Sequence, residues 1–260
     1  MILLHGWLGS WQLWRHTIEE LGKEFKTYAI DFYGFGESDK GSTRFTVDNY
    51  VEMVHEFMTN LGIPKAPVIG HSMGGTVALS MAIKHPDKVV KVVCVGSPVR
   101  GDSLNTFLKL SGNPLIASML FQIPPFRQAV VSMIAYLLSS PKYPRRVGDM
   151  IMNDFSQVTL HSFFESIGSL RNTDLRAQLP TLQVPAMGMY GRWDMIVNPN
   201  QARTLKQSVP DAKIDWYADA GHFIMIDSPD RFVASIREFL LTKHPTLVVN
   251  QPTPEVVRVR

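Results

Sequence analysis

The stretch Pro67-Val68-Ile69-Gly70-His71-Ser72-Met73-Gly74-Gly75-Thr76-Val77-Ala78-Leu79-Ser80 decides the fold. It is entered by an apolar run, Ala66–Ile69, and leaves as a helical segment, Thr76–Lys84, that stops before His85-Pro86. A G-x-S-x-G pattern alone is common. Between a strand and a helix it describes a sharp turn that lifts a serine hydroxyl clear of the backbone. A non-glycine residue at the apex is strained and needs small neighbours, hence Gly70 and Gly74. The following helix aims its N-terminus at the serine and favours negative charge developing there. An ordinary glycine-rich turn is the bland alternative, and the apolar entry and helical exit weigh against it.

Outward from the elbow, short β-rich runs alternate with longer helical ones. Met1–Leu4 stops at His5-Gly6, and Lys26–Phe32 (KTYAIDF) precedes the turn Tyr33-Gly34-Phe35-Gly36. Val47–Leu61 carries apolar residues at steps of three and four and ends at Gly62. Val89–Val95, Pro185–Tyr190 and Lys213–Tyr217 read as strands, and Pro229–Leu241 as a last amphipathic helix. Continuous apolar strands alternating with helices predict an α/β fold: a mostly parallel central sheet flanked by helices on both faces. Gly101 to Pro180 breaks the rhythm. It is helical, rich in Leu, Met and Phe, and too long for a structureless loop, so a helical cap over one end of the sheet is expected. Residues 1–100 and 181–241 then form the core, 101–180 the cap, and 242–260, with three prolines, a flexible tail.

Composition narrows the function. Of 260 residues, 45% are hydrophobic and 19% charged, which excludes a disordered chain. A net charge of +3 gives no electrostatic case for nucleic acid. The single cysteine, Cys94, precludes an internal disulfide or a Cys-based zinc site and fits a reducing compartment, so a cytoplasmic location is expected. The most apolar stretches, PLIASMLFQIPP and AVVSMIAYLL, are shorter than the ~18 residues that span a bilayer, and the N-terminus lacks the basic region of a signal peptide. No H-E-x-x-H, P-loop, G-x-G-x-x-G or carboxylate cluster spaced for a metal occurs, so neither metal nor cofactor is expected.

A serine hydroxyl is a weak nucleophile and needs a base. Among eight histidines, His222 is the best candidate, in the loop Ala220-Gly221-His222-Phe223 before the last helix. His71 is expected to point away from the serine, and His5 to pin an early turn. The base needs an acid to orient it. Asp194 closes Gly191-Arg192-Trp193-Asp194 at the C-terminal end of a strand, where the residues of a parallel sheet converge. Asp102 and Asp219 are its rivals, and Asp219 is expected to be solvated. Donors for an oxyanion are expected from the backbone N–H of Met73 in the elbow and of Trp7 in His5-Gly6-Trp7-Leu8-Gly9-Ser10. Leu8, Phe223 and cap residues are expected to contact substrate. The apolar cap residues Leu115, Ile116, Met119, Leu120, Phe121, Met133, Ile134, Phe163 and Phe164 are too many for a solvated insertion.

HGWLGS, DFYGFGESD, GHSMGG, GRWD and AGHF, in this order and spacing, resemble the α/β-hydrolase fold superfamily from about Ile2 to Leu241. DLRAQLPTLQVPAMGMYGRWD is similar to the exit from a helical cap in its cap-bearing members. The resemblance implies a Ser72–Asp194–His222 triad, but the superfamily spans esterases, lipases, lactonases, C–C hydrolases, haloperoxidases and lyases. Serine at position 72 argues against the branches that place aspartate there. Likeness to the vitamin-K-pathway synthase branch is confined to the HGWLGS start. Members carry two strands ahead of the HG turn, and their absence here would leave the KTYAIDF strand as an open edge able to pair with a second copy. The expectation is a carboxylesterase for small to medium apolar acyl esters. Lactone or C–C bond hydrolysis by the same residues, or a non-catalytic receptor on this fold, are the alternatives.

Overall fold

Six short strands, four of them buried along nearly their whole length, build one sheet with two apolar faces. We describe residues 1–41, 44–104, 122–125, 128, 129, 132 and 143–243 in a computed structural model. In chain order the elements are β1 (Ile2–Leu4), α1 (Arg15–Leu21), β2 (Tyr28–Ile30), α2 (Val47–Asn60), β3 (Ala66–His71), α3 (Met73–Lys84) and β4 (Val89–Val95). Then follow α4 (Pro144–Ser156), α5 (Leu160–Asn172), β5 (Ala186–Gly191), α6 (Gln201–Ser208), β6 (Lys213–Tyr217), α7 (Ile224–Asp227) and α8 (Pro229–Leu241). The strands pair in the order β2-β1-β3-β4-β5-β6, all parallel. Successive side chains of a strand point to opposite faces. Ile2, Leu4, Val68, Val92 and Cys94 therefore pack with Tyr50, Val54, Val77 and Met81 of α2 and α3. Leu3, Ile69, Val93 and Val95 pack on the other face with Leu21, Phe232 and Ile236 of α1 and α8. Burial pushes the Cys94 thiol up to about 12, so it is a core residue and not a nucleophile.

The expected α/β layering holds, with shifted boundaries. Helix α3 begins at Met73, not Thr76, because Met73-Gly74-Gly75 wind its first turn directly on the elbow. β2 is three residues long, since Asp31 and Phe32 leave the ladder for the loop that follows, and it lies at one end of the sheet. The short helices α1 and α6 are not among the elements expected from the sequence.

Much of the expected cap, 105–121 and 133–142, and the tail from 244 lie outside the described residues. So do Leu115, Ile116, Met119, Leu120, Phe121, Met133 and Ile134. The described part is helical, in α4 and α5, and it is stitched to the sheet end. Ser162 Oγ donates to Gly34 O at 3.0 Å, Phe45 N to Glu165 Oε2 at 2.8 Å, and Val47 N to Ser169 Oγ at 3.0 Å. Among the described residues no helix is long and apolar enough to cross a membrane.

Candidate active site

The site is assembled from the C-terminal ends of β1, β3, β5 and β6. At the tip of β3 Ser72 sits at φ 51°, ψ −119°, a left-handed conformation that costs on the order of 1–3 kcal/mol. Surrounding backbone enforces it. Ser72 N donates to Val95 O at 2.8 Å, and its carbonyl accepts from Gly75 N at 2.9 Å. The turn closes so tightly that a Cβ on Gly70 would lie 2.0 Å from Gly74 O, and one on Gly74 would lie 2.4 Å from His5 O. The spacing of the two glycines is thus a steric requirement. Ser72 stands at the N-terminus of α3, 6% exposed.

Asp194 and His222 meet from neighbouring strands. His222 Nδ1 lies 2.8 Å from Asp194 Oδ2, with both side chains buried. The other carboxylate oxygen accepts from Ile196 N at 2.8 Å and Val197 N at 2.9 Å. A carboxylate so satisfied remains an acceptor, so Nδ1 carries the proton and Nε2 keeps a free lone pair. The buried charge is matched by three donors, which offsets its desolvation. Gly96, with φ +54°, lets the chain after β4 pass beside the pair; a Cβ there would be 3.3 Å from both Asp194 Oδ2 and His222 Nδ1. No hydrogen bond joins Ser72 Oγ to His222 among the described residues. Such contacts are often long without substrate and tighten when it binds.

The rivals are placed elsewhere. Asp102 is exposed and pairs with Arg100. Asp219 is exposed at the loop before His222. Two other histidines lie beside a single carboxylate each: His16 is 3.6 Å from Asp230, and His161 is 3.3 Å from Glu165.

The turn after β1 faces the elbow. A Cβ on Gly6 would lie 3.1 Å from Ser72 Cβ, so the Gly6–Trp7 peptide abuts the serine. Met73 N begins α3 on the other side. Among the described residues neither Trp7 N nor Met73 N is taken by an acceptor. Leu8 holds φ 59°, the second positive-φ side chain, and is half-buried. The Trp7 ring packs on Phe163 of α5 at 4.7 Å, and its Nε1 donates to Phe163 O at 3.4 Å. Phe223 is buried, its ring 5.1 Å from His71 and 5.5 Å from His222. It therefore supports the histidine loop from below.

The sequence profile described as "alpha/beta hydrolase fold" matches residues 1–229. The chain belongs to this family. As an alpha/beta hydrolase it is 26% identical, over 92% of its length and 93% of the relative's, to the pimeloyl-[acyl-carrier protein] methyl ester esterase of Vibrio vulnificus strain YJ016. Its fold is similar to the enol-lactonase of Burkholderia xenovorans LB400, with a TM-score of 0.81 at 23% identity over 93% of this chain and 90% of that one. It is similar also to a thermophilic esterase from Thermogutta terrifontis, with a TM-score of 0.80 at 24% identity over 92% and 88%.

Three residues that sequence reasoning passed over, Asp31, Asp154 and Asp227, shape this candidate site, and His71 belongs to it as well. His71, expected to point away from the serine, remains at the site. Its ring lies 4.6 Å from that of His222, and its Nε2 is 3.0 Å from His222 O. Alternation along β3 carries it off the serine but towards the loop after β6, a neighbour that only the sheet order supplies. Asp31 accepts from Trp11 N at 2.6 Å and Glu37 N at 2.9 Å, fixing the loops after β1 and β2 to each other. Asp154 of α4 accepts from Ser10 Oγ at 2.8 Å. Asp227 accepts from Gly221 N at 2.8 Å and so holds the His222 loop. His5 pins its turn as expected: Nε2 accepts from Phe32 N at 3.0 Å, which leaves Nδ1–H to donate to Gly6 O at 2.7 Å.

Proposed function

We propose that this protein is a serine hydrolase that cleaves carboxylic esters through an acyl-enzyme. The observation that carries the proposal is the buried 2.8 Å His222–Asp194 hydrogen bond beside a serine held at positive φ. Ser72 Oγ attacks the ester carbonyl carbon as its proton passes to His222 Nε2. Asp194 holds the imidazole tautomer and stabilises the imidazolium. The N–H groups of Trp7 and Met73 hold the oxyanion. Collapse of the tetrahedral intermediate breaks the C–O bond to the alcohol, which leaves with the proton from His222. Water then attacks the acyl-serine, again giving its proton to His222, and the acid is released with Ser72 restored.

The substrate is an apolar acyl ester on this reading, supported by the apolar Trp7 and Leu8 of the turn facing the elbow and by Phe163 packed on Trp7. Resemblance to a methyl ester esterase supports ester over amide chemistry. The helices α4 and α5 form, on this proposal, part of a cap that limits acyl length. A fluorophosphonate probe tests the reading: intact-mass analysis should find one adduct, absent in Ser72→Ala. Turnover of p-nitrophenyl esters should disappear with it. An adduct elsewhere, or none on a folded protein, would point to a receptor rather than an enzyme.

A further inference from the structure

Helices α2 and α3 bring together three metal-ligand side chains remote from the elbow. Glu52 and His55 stand one turn apart on α2 and share a face. His85 caps the C-terminus of α3. A ligand atom from each of the three lies within 4.8 Å of the others. The imidazoles of His55 and His85 stack at 4.2 Å between centroids, 14° from parallel. His85 Nε2 is buried without a hydrogen-bond partner and stops 3.6 Å from Glu52 Oε1, beyond hydrogen-bonding range.

We propose that Glu52, His55 and His85 bind one divalent transition-metal ion of the zinc type. Two stacked imidazoles cannot both take up protons without repulsion; their lone pairs lie in the ring planes, so a cation at their nitrogen edge, met once one ring turns out of the stack, takes both nitrogens and the carboxylate together. Two nitrogens and one carboxylate oxygen are a zinc donor set with a fourth position left for water. Imidazole selects zinc, nickel or copper over magnesium or calcium. The C-terminal end of α3 carries partial negative charge and favours a cation at His85. Lys84, the nearest competing cation in the chain, is drawn aside to Asp48 at 2.6 Å. Glu52 is exposed and both histidines are half-buried, so the ion has a path from solvent.

Helix α3 has 12 residues, which sets the site about 18 Å from Ser72, too far to touch a reacting group. The ion would instead clamp α2 to the end of the helix whose other end carries the serine. It therefore goes beyond the hydrolase reading and does not depend on it.

The test is calorimetric titration of the full chain with zinc chloride, with magnesium chloride as control. One zinc per chain is expected and no magnesium, with Tm raised by roughly 5–10 °C at a hundredfold excess over Kd. His55→Gln and His85→Gln should each weaken zinc at least tenfold while far-UV circular dichroism and ester turnover stay unchanged. His222→Ala should retain the binding. Absence of saturable zinc binding overturns the proposal. So does binding that survives both glutamine variants, or binding lost in His222→Ala, which would assign the ion to the serine site.

Discussion

His71 Nε2 donates to the backbone carbonyl of His222 at 3.0 Å, tying the residue before Ser72 to the loop that carries His222. A carbonyl only accepts, so the hydrogen is on Nε2 and the buried Nδ1 is bare. Burial, reinforced by the neighbouring His222, holds the His71 imidazole well below its usual 6.5, so it stays neutral and its geometry does not vary across the neutral pH range. Two elements far apart in sequence are thereby set in fixed register at the site.

Loss of this tie should affect turnover more than binding. His71→Ala is expected to lower kcat by roughly fivefold, in line with one lost net hydrogen bond of about 1 kcal/mol, with KM little changed. His71→Asn, able to donate to the same carbonyl, should recover part of it. Steady-state kinetics of both variants check this, and a rise in KM at constant kcat would mean that His71 acts on the substrate pocket instead.

Asp194→Asn should cut kcat by about 10³–10⁴-fold, because an amide no longer holds Nδ1–H in place. Asp102→Asn should leave it nearly intact, since Asp102 is spent on exposed Arg100. His222→Ala combined with Asp194→Asn should be little worse than His222→Ala alone, as members of one unit are not additive. Rate assays on the four proteins decide between the two aspartates.

Acyl-chain preference should respond to α5. Each methylene buried against an apolar wall contributes about 0.8 kcal/mol until the wall is met. Phe164, half-buried and 5.4 Å from Phe163, can be shortened without opening the core. Phe164→Ala should move the optimum of a p-nitrophenyl ester series to longer chains while sparing the acetate. If Trp7 or Phe223 substitutions shift the optimum and Phe164→Ala does not, the wall belongs to the sheet-end loops.

Asp154 makes stability pH-dependent. Burial lifts its carboxyl from 3.8 to about 6, with the Ser10 hydrogen bond opposing the shift. Between these values the folded chain holds a proton that the unfolded chain has lost. Stability therefore rises as pH falls through that window, and the full penalty applies above pH 6. Asp154→Asn should raise Tm relative to the parent at pH 7.5, and the gap should shrink by pH 4.5. Thermal melts of both proteins across this range measure it.

The β2 edge should allow weak self-association, since among the described residues no strand lies beyond Tyr28–Ile30. Light scattering at rising concentration should show a growing mean mass, reversed by Ala29→Lys, which places a charge on the edge. A constant monomer mass at high concentration would show the edge to be protected, as its three-residue length also tends to do.

The sequence by itself determined the parallel α/β sheet, the elbow at Ser72 and the residues that flank it. These depend on short-range rules: side-chain alternation, helical period, and the sterics of one tight turn between Gly70 and Gly74. It also singled out His222 and Asp194 as candidates for base and acid by their place after apolar strands, though not that their side chains meet. Only the tertiary structure decided that meeting, because it depends on β5 and β6 being neighbours and on Gly96 and Asp227 shaping the loops around them. It also decided the turn of His71 towards His222, the Ser10–Asp154 bridge, and the gathering of Glu52, His55 and His85. Each joins residues that no local pattern relates, since side chains from distant segments approach only after strand order and helix packing have fixed their positions.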